Sequence, residues 1–389
     1  MHAEVLVLGV GSMGSAACYF LAKSGRKVIG LEQFDIPHEW GSHHGQSRII
    51  RKAYFEHPDY VPLLERAYAL WRELEVETGA PVFLRTGLLY MGKASHIALS
   101  GTRASASTWQ IPLENLSAQD IHDRYPQVSL PAGYEGIFEP DAGLVTPERA
   151  VLLYTHLAIR AGARIHTKTS VTHWRRAGGR FEVSTNRGMF TADKLVICAG
   201  PYTRELVPAL APALQVTRQV VGWVTPKDPS AFTPERWPCW TLSEDDLPGI
   251  YYGFPVLDPG RFGGPLGFKL AHHAPGDPCE PHTVSRVPTA QDEAQLVAVL
   301  DRYFPGTYAG THVLKTCLYT NTPDENFIID FLPGYEGDVA IAAGFSGHGF
   351  KFASAVGAIL SELITDGQSR SPIGFLSARR GALAGGTHP

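Results

Sequence analysis

The stretch LGVGSMG sets Gly9, Gly11 and Gly14 in the spacing G-x-G-x-x-G, where an apolar run gives way to a helical pattern. The first glycine permits a tight turn, the second lets backbone approach a pyrophosphate, and the third allows close strand–helix packing. The helix start behind them offers free N–H groups and a partial positive charge to phosphate. Glu32 closes the next apolar run about 20 residues on, where a carboxylate accepts from a ribose hydroxyl. This pattern serves FAD and NAD alike. KLVICAGP, whose Cys198, Ala199 and Gly200 close a late strand, favours FAD. A second reactive type stands in KTCLYTNTPDENFIID, where Cys317 follows Lys315 by two residues. A thiolate is the nucleophile that such a site needs, and a neighbouring ammonium lowers a thiol pKa. Five cysteines leave at least one outside any internal disulfide, although a buried structural thiol is the ordinary fate of a single cysteine. GHGFK sets Lys351 after a glycine turn at a helix start, a positive end suited to an anion.

The elements that must position these residues are legible in outline. Residues 4–8 read as a buried strand, 13–23 as a helix and KVIGLE as a second strand, a β-α-β unit. YVPLLERAYALWRELEVETG is helical and stops at a glycine. TPERAVLLYTHLAIRAG opens a helix with Thr146 as cap, Pro147 in the first turn and Glu148 as capping-box acid. Residues 214–316 are rich in proline and aromatics, and QVVGWVTP and GIYYGFP alternate as in an antiparallel sheet. DVAIAAG and KFASAVGAILSELITDG then restore strand, glycine turn and helix. The expected fold is α/β. A Rossmann-like FAD-binding domain is assembled from residues 1–80, 145–213 and 317–389. An inserted α+β substrate domain on an antiparallel sheet takes 81–144 and 214–316.

Composition narrows the class. At 389 residues the chain exceeds the size of one growing core. Its 44% hydrophobic and 19% charged residues are those of a soluble globular protein. A formal net charge of −4 offers neither a basic surface for nucleic acid nor a polybasic membrane patch. Scattered cysteines point to a reducing cytoplasm rather than a secreted disulfide framework. AEVLVLGVGSMGSAACYFLA lacks a positive leader and is broken by glycines, so neither a signal peptide nor a membrane span is expected. The tail GGTHP carries no Ser-Lys-Leu address. His272, His273, Cys279 and His282 match no zinc spacing, so no metal is expected.

Four stretches in one order decide the rest: GSHHGQSRIIRKAY, YYGFP, KTCLYTNTPDENFIID and AAGFSGHGFKFAS. Together they resemble the monomeric sarcosine oxidase and N-methyltryptophan oxidase family of FAD-dependent amine oxidases, with a glutathione-reductase/D-amino-acid-oxidase-like fold. The resemblance implies FAD bound covalently through Cys317, by an 8α-S-cysteinyl bond. It implies that Arg51 and Lys351 clamp a substrate carboxylate, a task suited to an arginine fork beside a lysine point charge. It places His44 and Arg48 near the flavin, and Lys269 where a preorganised ammonium stabilises negative charge developing on O2. His273 and Tyr252 fall on the substrate side, and Tyr319 lines the substrate cavity. The implied FAD contacts also include Ser12, Met13, Gln33, Ser42, His43, Val171, Gly344, Gly347 and Gly349. One departure is a longer connection between YYGFP and Lys269, residues 256–268, expected to alter the pocket roof. The implied reaction takes two electrons and a proton from an N-methyl amino acid. Water hydrolyses the imine to formaldehyde, and O2 becomes H2O2. Other amines open to the same chemistry are N-methyltryptophan, proline or pipecolate, and glycated amino acids; an NAD(P)-dependent dehydrogenase is the more distant reading. Activity is expected to rise with pH as the amine loses its proton. The implied protein is a cytoplasmic monomer acting on a small amino acid and O2.

Overall fold

The computed structural model describes residues 1–244 and 247–384, and the GGTHP tail lies outside the described residues. The first strand, His2–Leu8, lies inside an eight-stranded sheet, parallel to Val28–Leu31 on one side and to Gly188–Ile197 on the other. Its Val5 and Val7 enter one core and its Leu6 and Leu8 another. Burial on both faces is why the segment reads as a continuous apolar run instead of an alternating one. Val339–Ala343 extends the parallel set beyond Gly188–Ile197, and Arg164–His166 extends it beyond Val28–Leu31. Strands Val171–Ala177 and Arg180–Thr185 join antiparallel, as does Ile328–Phe331 beside Val339–Ala343. This is the nucleotide-binding α/β architecture expected from the glycine loop.

Helices Ser12–Lys23, Pro147–Arg160 and Ala353–Asp366 pack together against this sheet. Every residue from Ala353 to Ile364 is buried, including Ser354, Ser361 and Glu362, the last paired with Arg66. It meets the first helix at Gly357, where an added Cβ would lie 2.4 Å from the Ala16 Cβ and 2.7 Å from the Ala16 carbonyl carbon.

A second sheet has nine strands, and its centre supplies the site. Gln215–Pro226 pairs antiparallel with Tyr308–Asn321 and with Phe268–His273, which pairs in turn with Ile250–Phe254. Opposed pairs are Gln219 with Cys317, Trp223 with Lys269, and Phe254 with Lys269. Side chains alternate along a strand, so Lys269, His273, Tyr252, Cys317 and Tyr319 share one face. The opposite face packs Trp240, Phe268, Leu270 and Phe304 against helix Ala290–Tyr303. A small antiparallel sheet of Arg48–Ile50, Phe83–Leu84 and Gly143–Val145 carries the arginine segment. Among the described residues no helix is long and apolar enough to cross a membrane.

The capping box expected at Thr146 does not form. Thr146 is the N-cap, yet its hydroxyl donates to the Val82 carbonyl and accepts nothing from the helix. Glu148 is the second helical residue behind Pro147, whereas a capping box needs the third. Its carboxylate instead reaches the turn at Gly45, described below.

Gly357→Ala separates two opposing effects. Alanine gains roughly 1 kcal/mol of helix propensity over glycine, whereas forcing a methyl into this contact costs about 1–3 kcal/mol. With a backbone carbon 2.7 Å away, the clash dominates. The expected outcome is a lower urea midpoint at unchanged slope; an equal or higher midpoint shows that the two helices part freely.

Candidate active site

One continuous cleft, with about 1720 Å³ of empty space including its mouth, runs from the glycine loop to the face of the second sheet. Gly9, Gly11, Ser12 and Met13 line it, followed by Glu32, Gln33, Val171, Ala199 and Gly200. Gly9 has φ +90°, and a Cβ there would lie 2.5 Å from the Cys198 carbonyl oxygen. Gly14 does not line the cleft. It is the packing glycine, whose Cβ would meet the Gly9 oxygen at 1.8 Å. Helix Ser12–Lys23 starts at Gly11 with no side-chain cap and no acidic residue in its first turn. Its free N–H groups therefore await an anion. Glu32 is 4% exposed and accepts from Val10 N at 2.8 Å and Phe34 N at 3.0 Å, which aims the carboxylate at the cleft. Burial raises its pKa, and these backbone donors oppose the rise.

Ser42, His43 and Arg48 line the middle of the cleft. The turn between them is fastened twice. Glu148 accepts from Gly45 N at 2.5 Å and from Gln46 N at 3.1 Å. Lys269 donates to Gly45 O at 2.5 Å, Ser47 O at 2.7 Å and Ser47 Oγ at 3.1 Å. Arg48 reaches back to the carbonyls of Ser42 and His44. His44 lies under this turn, outside the cleft lining and 1% exposed, with no partner for either ring nitrogen; His43 Nε2 is also unpartnered. Burial and Arg48 push the two rings down, His44 to about 2 and His43 to about 4, so both are neutral. Buried polar atoms without partners, a glycine cradle and an uncapped helix are the donor set that a dinucleotide with a polar ring system would satisfy. These residues fit FAD.

Lys269 is 1% exposed and lies behind the turn, outside the lining, with Phe254 4.3 Å from its ammonium. Burial and Arg48 lower its pKa well below the usual lysine value. Cys317 is 5% exposed and also just outside the lining, its sulfur 3.8 Å from Arg48 Nη2 and 3.8 Å from Ser42 O. The sequence pointed to Lys315 as the cation beside this thiol, but Lys315 is ion-paired with Glu39. Arg48 takes that place. All five cysteines are free thiols.

The far end of the cleft is lined by Arg51, Tyr252, His273, Tyr319 and Lys351, with Gly344, Gly347 and Gly349 forming the turn before the lysine. Gly347, at φ +77°, lies so near Tyr319 that a Cβ would meet its ring at 2.4 Å. His273 Nδ1 is 3.3 Å from the Tyr319 hydroxyl, and burial lowers its pKa to about 4. Lys351 is pushed down to about 7 by burial and by Arg51, with Glu56 opposing. Arg51 Nη2 donates to both Glu56 carboxylate oxygens, at 2.5 and 2.6 Å, while its Nη1 donates to the Ala53 carbonyl at 2.9 Å. Burial works against that carboxylate's charge, but Arg51 prevails and holds its pKa at about 2. Connection 256–268 does not roof the cleft, since none of its residues lines it. Its Gly263 carbonyl accepts from Gln46 Nε2, behind the fastened turn, while Leu257 and Phe262 are buried. His272, His273 and His282 go to separate partners: Pro248 and Gln295, Tyr319, and Glu205.

The family described as FAD dependent oxidoreductase matches residues 4–363. The chain belongs to that family. It is similar to the monomeric sarcosine oxidase of Bacillus sp. (strain NS-129), 40% identical over 98% of both chains. It is also 36% identical to the N-methyl-L-tryptophan oxidase of Salmonella dublin over 93% of this chain and 94% of that one. Among solved structures, NikD, an unusual amino acid oxidase essential for nikkomycin biosynthesis, superposes with a TM-score of 0.85 at 25% identity over 97% of each chain. Glycine oxidase from Geobacillus kaustophilus shares the fold, with a TM-score of 0.80 at 19% identity over 97% of this chain and 99% of that one.

For this FAD-dependent oxidoreductase, sequence reasoning missed Glu56, Tyr54, His348 and the true partner of Glu148. No local rule links Arg51 to an acid five residues on, and Glu148 looked like a helix cap. Because Glu56 occupies Nη2 of Arg51, Glu56→Gln is expected to tighten binding of acetate, read from the flavin absorbance of the FAD-loaded protein. Unchanged or weaker binding shows that Glu56 does not compete for Arg51.

Proposed function

We propose that this enzyme oxidatively demethylates a small N-methyl amino acid of the sarcosine type, yielding the demethylated amino acid, formaldehyde and H2O2. The observation that carries this reading is that Arg51 and Lys351, each 5% exposed, line the same dinucleotide cleft. A carboxylate is the anion that a guanidinium fork and an ammonium would take together. The likeness to sarcosine and N-methyltryptophan oxidases over nearly the whole chain supports the same reaction.

When bound, FAD supplies the two-electron acceptor and passes the electrons on to O2. The chain's own residues orient and desolvate. Arg51 releases Glu56 to grip the substrate carboxylate beside Lys351. Tyr252, Tyr319 and His273 confine the amine end, and all three carry no charge near neutral pH because burial keeps the phenols protonated and the imidazole free. A held carboxylate leaves the N-methyl group little freedom, which is the source of rate that orientation supplies. Lys269 donates three hydrogen bonds to the Gly45–Ser47 turn, and these acceptors favour its ammonium against burial and Arg48, a charge suited to stabilising reduced oxygen species. Residues 81–144 and 214–316 are read as the substrate domain, and the protein as a cytoplasmic monomer.

The covalent link is assigned to Cys317. Support comes from its position between Ser42 and Arg48, both on the cleft, and from the guanidinium beside its sulfur. Two experiments test these readings. Peroxide release is measured with sarcosine, N-methyl-L-tryptophan, L-proline, L-pipecolate and a fructosyl amino acid. Sarcosine is expected to lead; a different leader changes the substrate only, whereas no peroxide from any of them overturns the reaction. For the link, acid precipitation should leave yellow colour with wild-type protein and release it into the supernatant for Cys317→Ala. Colour in the wild-type supernatant sinks the covalent assignment.

A further inference from the structure

Beside Lys351 lies a buried polar chain that the proposed reaction does not use, and its His348 lines the cleft. Tyr54 is 0% exposed and His348 8% exposed. The Tyr54 hydroxyl lies 2.6 Å from His348 Nδ1, and His348 Nε2 lies 3.0 Å from the Glu325 carbonyl. A peptide carbonyl only accepts, so Nε2 carries the ring proton and Nδ1 is the acceptor. Tyr54 must then donate to Nδ1, which leaves its oxygen lone pairs turned to the rest of its surroundings. Lys351 Nζ is 3.4 Å from that oxygen and 2.6 Å from the His348 carbonyl. An ammonium has three N–H groups. Among the described residues no other protein acceptor reaches this one, and Lys351 lines the cleft. Phe327 and Tyr60 pack on the His348 ring, and Trp71 donates to the Lys351 carbonyl, so both residues are held from outside the cleft.

We propose that Tyr54 and His348 are positioning residues for the carboxylate end of the site. The histidine tautomer makes Tyr54 an acceptor toward Lys351, and the pair holds the ammonium with one N–H left for an anionic ligand. The inference rests on the proposed function only in taking that anion to be the substrate carboxylate.

Two acceptors favour the charged lysine, while burial and Arg51 disfavour it. Arg51, Glu56, Glu325, Tyr54, Tyr60, His273 and His348 are the titratable groups around the chain, and burial raises the Glu325 carboxyl. Glu56 ionises at about 2, His348 at about 3 and His273 at about 4, and both tyrosines are raised. Lys351, at about 7, is the group among these that titrates near neutrality. Its charge is present below that pH and lost above it, so anion affinity falls as pH rises through about 7.

The test is an acetate titration of the FAD-loaded protein from about pH 5 to 9, followed by flavin absorbance, with acetamide as the uncharged control. Wild-type affinity is expected to be level below neutrality and to weaken above it. Tyr54→Phe removes the acceptor at nearly constant volume and should move that break down by roughly 0.5–1 pH unit. His348→Leu strands the tyrosine proton and should do the same. His348→Asn restores an acceptor near the Nδ1 position and should keep the wild-type break. Should His348→Leu fail to fold, Tyr54→Phe and His348→Asn decide between them. Three outcomes overturn the proposal: an unmoved break in Tyr54→Phe, a shifted break in His348→Asn, or no acetate binding by wild type below pH 7. Acetate is not oxidised, so these results stand whether or not sarcosine is the substrate.

Discussion

The active-site half of this molecule hangs on one turn held between a carboxylate and an ammonium. Gly45 has φ +104° and Gln46 φ +68°, a conformation that a side chain at 46 resists unless it is over-determined. Glu148 takes the two N–H groups, and Lys269 takes two carbonyls and a hydroxyl. The two clamps come from different parts of the chain: a helix packed beside the glycine loop and a strand of the second sheet. The turn is therefore the rivet between the nucleotide sheet and the sheet that carries the tyrosines. His43, His44, Arg48 and Arg51 all take their positions from it. An ammonium with all three donors occupied also explains how a lysine survives behind the cleft despite the strong penalty of burial.

The pleat supplies the complementary wall. Lys269, His273, Tyr252, Cys317 and Tyr319 come from three strands, up to 67 residues apart in sequence, and alternation alone sets them on one face. A one-residue slip of any of these strands would turn its functional side chains into the core of Trp240 and Phe268. The packing on the opposite face thus protects the chemistry by fixing register. This is why the site tolerates polar and strained residues that contribute little to stability themselves.

The first half of the site was legible because its signal is local. Three glycines, an uncapped helix start and Glu32 all fall within one β-α-β unit, and each answers to backbone geometry. The long motifs likewise gave the residues of the far end, since the four stretches keep their order. What stayed hidden were pairings across the fold. Lys315 lies about 7 Å along the strand from Cys317, yet Glu39 draws it away and Arg48, 269 residues distant, meets the sulfur. Residues 256–268 were expected to alter the pocket roof and pack behind the Gly45 turn instead, because Leu257 and Phe262 have a core to enter there. Periodicity reports which face a residue takes, not which charge it meets.

Under the proposed function, charge balance would give the Arg51–Lys351 end its selectivity. Arg51 and Lys351 bring two basic groups into a region where His273 and His348 are neutral and Glu56 is the near carboxylate. Buried charge without a partner is expensive, so the pocket is most favourable when one more anion enters. Glu56 serves as that partner for Arg51 while the pocket is empty, and the lowered pKa of Lys351 lets the lysine shed its charge when no anion is present. An entering carboxylate reverses both adjustments at once. A neutral amine of equal size gains neither, so the proposed carboxylate clamp would favour amino acids over simple amines.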